Sequence, residues 1–296
     1  MKAMEARTRV SLQNILFTTD FSPVAENAAL YALELARSYK ARVHALHARP
    51  VEIYGAAPPE SWPILREATE AVAKQQTAQL DRRFAGVEHE TTVSEGNIWD
   101  FIAEYIEKDH TDLIVMGTHG RKGVEKFLLG SVAEDVLRRA TCPVLTVGPN
   151  VRVSPESAAA MKHILLAASF SPASDAAAAY AVSLAQEKQA LLDIVHVIEP
   201  QKTGEIVHAS DLAAGCLGRM RSFVSPEAEL WCEAHVLVEE GDPAEQILNV
   251  ARARRADLIV LGVKCADAFP VAGHIPWAAA HKIIAGAECP VITLRE

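Results

Sequence analysis

The 296-residue sequence predicts two tandem doubly wound α/β domains, each with a five-stranded parallel sheet flanked by helices. Two observations carry this prediction. Within each half, short apolar runs alternate with longer segments of helical periodicity, the pattern of strand–helix–strand units. The halves also repeat one another. Asn14-Ile-Leu-Phe-Thr-Thr-Asp-Phe-Ser-Pro23 matches His163-Ile-Leu-Leu-Ala-Ala-Ser-Phe-Ser-Pro172 at an offset of 149, and His47 matches His196 at the same offset. Asp112–Gly117 matches Asp257–Gly262 at an offset of 145, and Cys142-Pro-Val-Leu-Thr matches Cys289-Pro-Val-Ile-Thr at 147. Ordered matches with small drift indicate duplication followed by loop changes.

In the first copy the strands are expected near 13–18, 42–48, 87–93, 112–117 and 143–147. Continuous apolar runs suit strands covered on both faces. The first helix is expected to start with Ser22 as N-cap and Pro23 at its first position. Its Val24, Ala28, Tyr31 and Leu35 recur at helical spacing, leaving Glu26, Glu34 and Arg37 for water. Further helices are expected over 60–85, 97–109 and 131–140. The second copy repeats the alternation near 162–168, 171–188, 190–198, 205–223, 233–238, 243–255, 257–263, 277–286 and 290–294. Residues 1–148 form one expected domain and 162–296 the other. The stretch 149–161, with Pro149, Ser154, Pro155 and Ser157, reads as a linker.

Composition excludes several function classes. The net charge is −9, with −3 in residues 1–150 and −6 in the remainder, so neither half is a basic nucleic-acid or anionic-membrane module. Aromatic residues are 6%, too few for an extensive stacking surface. The N-terminal residues lack the apolar core of a signal peptide, and no segment has about 18 uninterrupted apolar residues. The five cysteines include no CxxC pair, and Cys142 and Cys289 each precede a proline at the head of an apolar run, as buried thiols do. A reducing cytoplasm is the expected compartment. Cys216, Cys232 and Cys265 match no zinc spacing, and no metal site is expected.

In a doubly wound sheet, ligands bind beyond the carboxyl ends of the strands. After the fourth strand comes Gly117-Thr-His-Gly120, then nine residues, then Gly130-Ser131 opening a helix: G-x2-G-x9-G-S. Glycines let a phosphate or ribose approach the backbone and permit positive φ. Gly130 and Ser131 would offer amide N–H groups and a positive helix end to a phosphate, the Ser131 hydroxyl adding a donor. Arg121 and Lys122 lie in the intervening loop. The bland alternative is that these glycines only permit turns. Asp20 can accept hydrogen bonds from ribose hydroxyls or orient a cation through water; its bland role is to favour the following helix. His47 is expected to hydrogen-bond locally and His119 to position phosphates, since neither has a partner that makes it a general base.

The tandem ILFTTDFS, the second strand ending in Leu46–His47 and the glycine–serine motif resemble a tandem universal stress protein over nearly the whole chain. That resemblance implies an adenine nucleotide alpha hydrolase-like, Rossmann-like sandwich and, for motif-bearing members, binding of ATP (or ADP or AMP), with or without Mg2+. Carried over by position, it implicates Thr18, Thr19, Asp20 and Ala48 near adenine and ribose. It implicates Met116, Gly117, Gly120, Gly130, Ser131 and Val132 along the phosphates. Thr18 stands where ATP-binding members often have proline. The second copy departs at each diagnostic position: Ser169 for Asp20, Cys265 for Gly120, Trp277 for Gly130 and Ala278 for Ser131. Trp277 is expected to fill the ligand volume, leaving the second copy a structural or regulatory half. By the resemblance, Val144–Val147 and Val291–Leu294 pair as a pseudo-dimer within the chain, and a homodimer through other surfaces remains open.

The expected activity is nucleotide binding in stress or signalling, altering assembly or protein partner contacts, without nucleic acid or membrane. A slow ATPase and a nucleotide-free scaffold are the alternatives. There is no GxxxxGK[ST] loop, no paired metal-binding carboxylates, no HxGH and no SGGxDS.

Overall fold

A computed structural model describes residues 10–49, 58–118, 129–151, 158, 161–199, 209–224, 232–263 and 277–295. The first half runs β1 (Asn14–Thr18), α1 (Pro23–Tyr39), β2 (Arg42–Arg49), α2 (Trp62–Arg83), β3 (His89–Glu95), α3 (Ile98–Lys108), β4 (Leu113–Gly117), α4 (Ser131–Arg139) and β5 (Val144–Val147). The second half runs β6 (His163–Ala167), α5 (Pro172–Lys188), β7 (Leu191–Ile198), α6 (Ala209–Arg221), β8 (Ala234–Glu240), α7 (Pro243–Arg254), β9 (Leu258–Val263), α8 (Trp277–Gly286) and β10 (Val291–Arg295). Each expected strand and helix is present among the described residues. Cap chemistry sets the helix starts: Ser22 Oγ accepts the Ala25 N–H in α1, and Ser171 Oγ accepts the Ser174 N–H in α5, each followed by proline at the first position.

The strands form one 10-stranded sheet in the order β3-β2-β1-β4-β5-β10-β9-β6-β7-β8. Pairing is parallel within each half and antiparallel at the junction, where Val291, Ile292 and Thr293 lie opposite Thr146, Leu145 and Val144. Thr146 Oγ1 donates to the Val291 carbonyl at 3.1 Å, and Thr293 Oγ1 to the Val144 carbonyl at 3.4 Å. The two hydroxyls occupy equivalent positions of the duplication, so the junction is reciprocal.

Two apolar layers, one per face, run across both halves. One gathers Phe17, Tyr31, Leu145, Ile164 and Ile292 under α1 and α5. The other gathers Leu16, Ile102, Val136, Ile259 and Ile283 under α3, α4, α7 and α8. The central strands are buried on both faces, as apolar runs require. Strand β3 departs from that expectation: HETTVSE is half-exposed because it forms an outer edge of the sheet.

The repeated aspartates have a structural task. Asp112 Oδ2 accepts the N–H groups of Gln13 and Asn14 at 2.7 and 2.9 Å, and Asp257 Oδ2 accepts those of Lys162 and His163 at the same distances. Each carboxylate fastens the start of one strand to its parallel neighbour. At that same pole the halves bury different polar side chains. His44 is 1% exposed, with Tyr105 against its ring and Glu90 3.8 Å from Nδ1. Its counterpart Asp193 is fully buried and takes His163 Nε2 at 2.8 Å, His235 Nδ1 at 3.3 Å and Arg254 Nε at 3.7 Å. Burial lowers the His44 pKa from 6.5.

Candidate functional site

Strands β1 and β4 are parallel neighbours, with Thr18 opposite Met116. The helix after β1 covers one face of the sheet and the helix after β4 covers the other. Their carboxyl ends therefore bound a crevice at a topological switch point.

On the β1 side, Thr18 and Thr19 are buried and Asp20 is half-exposed. The Thr19 N–H donates to the Leu46 carbonyl at 3.0 Å, tying the strand end to β2. Thr19 Oγ1 accepts the Phe21 N–H at 2.9 Å, and Asp20 Oδ1 accepts the Ser22 N–H at 3.0 Å. Phe21, at φ 61, turns the chain into α1. Asp20 thus shapes the turn while remaining half-exposed. His47 Nδ1–H donates to the Thr19 carbonyl at 2.6 Å, its ring edge-on to Phe21 at 4.8 Å. His196 does the same with the Ala168 carbonyl at 2.8 Å. The histidine holds two strand ends together in both halves, which is the local role expected of it. Ala48 follows His47 and is half-exposed.

On the β4 side, Met116 is 3% exposed in the core and Gly117 is half-exposed. A Cβ at Gly117 would lie 3.1 Å from the Ala25 nitrogen and 3.2 Å from the Val24 carbonyl carbon. The missing side chain therefore lets α1 approach β4. Gly262, its counterpart, is tighter still, at 2.3 Å from Ala173 carbon and oxygen. Helix packing explains why this glycine survives in a half whose other diagnostic residues changed.

The loop returns at Leu129 and Gly130. The expected offer of the Gly130 amide to a phosphate is corrected by the structure: this N–H donates to the Thr118 carbonyl at 2.8 Å. Gly130 has φ −62 and ψ 148, so positive φ is not what it supplies. It is the N-cap of α4 and, as a glycine, supplies no side-chain cap to that helix. Ser131 and Val132 are exposed at the first turn. The contrast with α1 is direct. The two helix starts flank one crevice; the Ser22 hydroxyl caps the first, and Gly130 offers no such group to the positive end of the second. Gly120, with His119, Arg121 and Lys122, lies outside the described residues, as does Cys265 in the second half.

The second half rebuilds the equivalent strand end. Ser169 is 6% exposed; its N–H donates to Ser174 Oγ at 3.0 Å, and its hydroxyl shares a hydrogen bond with Ser171 Oγ at 3.1 Å. A half-exposed carboxylate has become a buried hydroxyl cluster. Trp277 has a task that sequence reasoning missed: its ring packs under the Arg138 guanidinium of α4 at 4.6 Å. Arg295 donates to the Arg138 carbonyl. The Leu129 N–H lies 3.5 Å from His281 Nε2. Helix α8 and β10 therefore brace the helix whose N-terminus opens on the first half's crevice. A signal was present in the sequence, since an aromatic at a helix start suits an arginine partner, but its location across the junction was not.

The universal stress protein family profile matches the chain twice, over residues 11–148 and 161–295. A universal stress protein of Methanocaldococcus jannaschii is 37% identical over 138 residues, 46% of this chain and 81% of that protein. One of Mycobacterium tuberculosis is 24% identical over 254 residues, 80% of this chain and 81% of the relative. Among solved structures, a universal stress protein from Archaeoglobus fulgidus has the same fold, with a TM-score of 0.67 at 20% identity, over 97% of this chain and 98% of that one. With two matches in tandem and a sheet built twice over, the chain belongs to the universal stress protein family.

Proposed function

We propose that the chain binds an adenine nucleotide, ATP or its ADP or AMP form, in residues 1–148, and that occupancy alters its assembly or protein contacts. The observation carrying this reading is the N-terminus of α4, whose N-cap Gly130 supplies no side-chain cap, together with the half-exposed Asp20, at the carboxyl ends of β4 and β1. Amides of Ser131 and Val132 and the Ser131 hydroxyl suit phosphate oxygens. Asp20 suits ribose hydroxyls, and Thr18, Thr19 and Ala48 line the base side. Met116, Gly117, Gly120 and Gly130 complete the proposed set, Gly117 by setting the distance between α1 and β4.

Residues 162–296 serve as the structural or regulatory half, joined through 149–161. Among the described residues no group of three or more His, Cys, Asp or Glu side chains converges to hold a metal. Mg2+ is proposed only as a companion of the phosphates, with Asp20 proposed to orient its water. No described helix is long and apolar enough to cross a membrane. The cytoplasm is the proposed place of action, on the cysteine usage of the sequence. Native mass spectrometry of freshly purified protein tests the reading. It predicts about one adenine nucleotide per chain, reduced by Gly130→Trp. Protein without nucleotide and without calorimetric ATP affinity would leave a scaffold instead. Turnover abolished by Asp20→Ala would make the protein an ATPase.

A further inference from the structure

The two outer edges of the sheet differ in kind. At one end, β3 is polar, and two of its glutamates are engaged: Glu90 by Arg42 at 2.9 Å and Glu95 by Arg49 at 3.2 Å. At the other end, β8 reads Ala-His-Val-Leu-Val-Glu-Glu. No described strand pairs with its outer side, and an exposed apolar edge is a template for another strand. A cavity of about 580 Å³ runs along this edge. The strand's own Ala234–Leu237 form its floor, and Arg221 and Arg254 stand on its two sides.

We propose that β8 pairs antiparallel with β8 of a second copy, about a two-fold axis at Leu237, joining two sheets into one. The hydrogen-bond parity permits it. The Glu233 carbonyl accepts from Leu192 and the Gly241 N–H donates to Ile198, both on β7. Odd-numbered residues of β8 therefore turn their backbone groups inward, and Ala234, Val236, Val238 and Glu240 turn theirs outward. Antiparallel partners that exchange two hydrogen bonds must both face outward. With Leu237 on the axis, Val236 meets Val238 of the second copy and Ala234 meets Glu240, giving about eight interchain hydrogen bonds.

Charge selects this register. At the start of β8, His235, Arg254 and Arg221 outnumber the two acids there, Asp193 and Glu233, the latter 3.1 Å from His235, and the strand ends in Glu239 and Glu240. His235 and Arg254 lie on the α7 side with Asp193, and Arg221 lies on the α6 side. Neither Glu239 nor Glu240 has an ion pair among the described residues. Pairing about Leu237 sets Glu239 opposite His235 beside Arg254, and Glu240 opposite Ala234 on the Arg221 side. Moving the axis to Val236 would set Glu239 against Glu233, and a parallel pairing would stack like charges. In the chosen register His235 and Glu239 form a close, non-hydrogen-bonded pair, where cross-strand charges interact best.

Sedimentation of the full chain tests the proposal, with three variants. The wild type is expected at twice 32.0 kDa. Val238→Pro removes an outward N–H and leaves the ladder to β7 intact, so it should halve the mass with unchanged far-ultraviolet circular dichroism. Thr91→Pro at the β3 edge, where the odd-numbered residues are the outward ones because Glu88 and Gly96 bond to β2, should leave the dimer whole. Leu237→Cys should form an interchain disulfide on oxidation, and this decides the register if Val238→Pro does not fold. A monomeric wild type, a dimer that survives Val238→Pro, a dimer lost with Thr91→Pro, or no interchain cross-link in Leu237→Cys would each overturn it.

Discussion

Replacing Gly262 by alanine places a Cβ 2.3 Å from the Ala173 carbonyl carbon and oxygen and 2.5 Å from the Ser174 nitrogen. All three are backbone atoms of the first turn of α5. That turn is fixed by the Ser171 cap and by Ala173, Ser174 and Ala177, each at most 1% exposed. Relief of the clash requires the helix to move by about 1 Å against a close-packed layer, and overpacking on that scale costs about 3 kcal/mol or more. The same change at Gly117 meets its nearest atom at 3.1 Å. A shift of a few tenths of an ångström suffices there, and the loss of unfolded-chain entropy offsets about 0.4–1 kcal/mol. Urea unfolding of the full chain should show Gly262→Ala costing at least about 2 kcal/mol more than Gly117→Ala. Equal costs, or a larger cost at Gly117, would refute helix approach as the reason for this glycine in both halves.

Other perturbations probe His44 and its counterpart Asp193, the junction and the thiols. Because burial lowers the His44 pKa below 6.5, the unfolded chain binds the proton more readily. Stability should therefore fall as pH drops from about 6.5 towards the folded value, level off below it, and respond less in His44→Phe, as read from pH-dependent unfolding. Asp193→Ala strands His163, His235 and Arg254 around a vacated buried site and should cost about 2–3 kcal/mol in urea unfolding, below the usual buried-pair loss because Arg254 is 42% exposed. Trp277→Ala removes the support under Arg138. It should cost about 1 kcal/mol and speed amide exchange in α4 more than in α1. Burial pushes the Cys142 and Cys289 thiols up to about 12, so native protein at pH 8 should resist alkylation at both, as mass spectrometry would show.

Much of the fold was legible because parallel strands buried on both faces leave apolar runs that survive duplication. Cys142-Pro and Cys289-Pro marked the strands that meet at the junction. Less was legible at the site. A glycine after a strand has one letter and two meanings, and the backbone of the adjoining helix, not the motif, decides that Gly117 serves packing. Gly130 was expected to donate its amide outward, but the Thr118 carbonyl takes it; such a bond depends on how the loop returns, which spacing does not encode. The exchange of His44 for Asp193 escaped notice for a different reason. Their partners Glu90, His235 and Arg254 come from other strands and helices, so charge compensation appears only once the sheet is assembled. Cys142 is half-buried where full burial was expected, since it precedes β5 on the turn from α4.

The central claim is a nucleotide site in the first half and none in the second. Titration calorimetry of ATP into nucleotide-free full chain tests it most directly, with Gly130→Trp and Ala278→Ser measured alongside. About one ATP per chain is predicted, with affinity weakened at least about tenfold by Gly130→Trp and unchanged by Ala278→Ser. Two sites per chain, no binding, or binding indifferent to Gly130→Trp would contradict it.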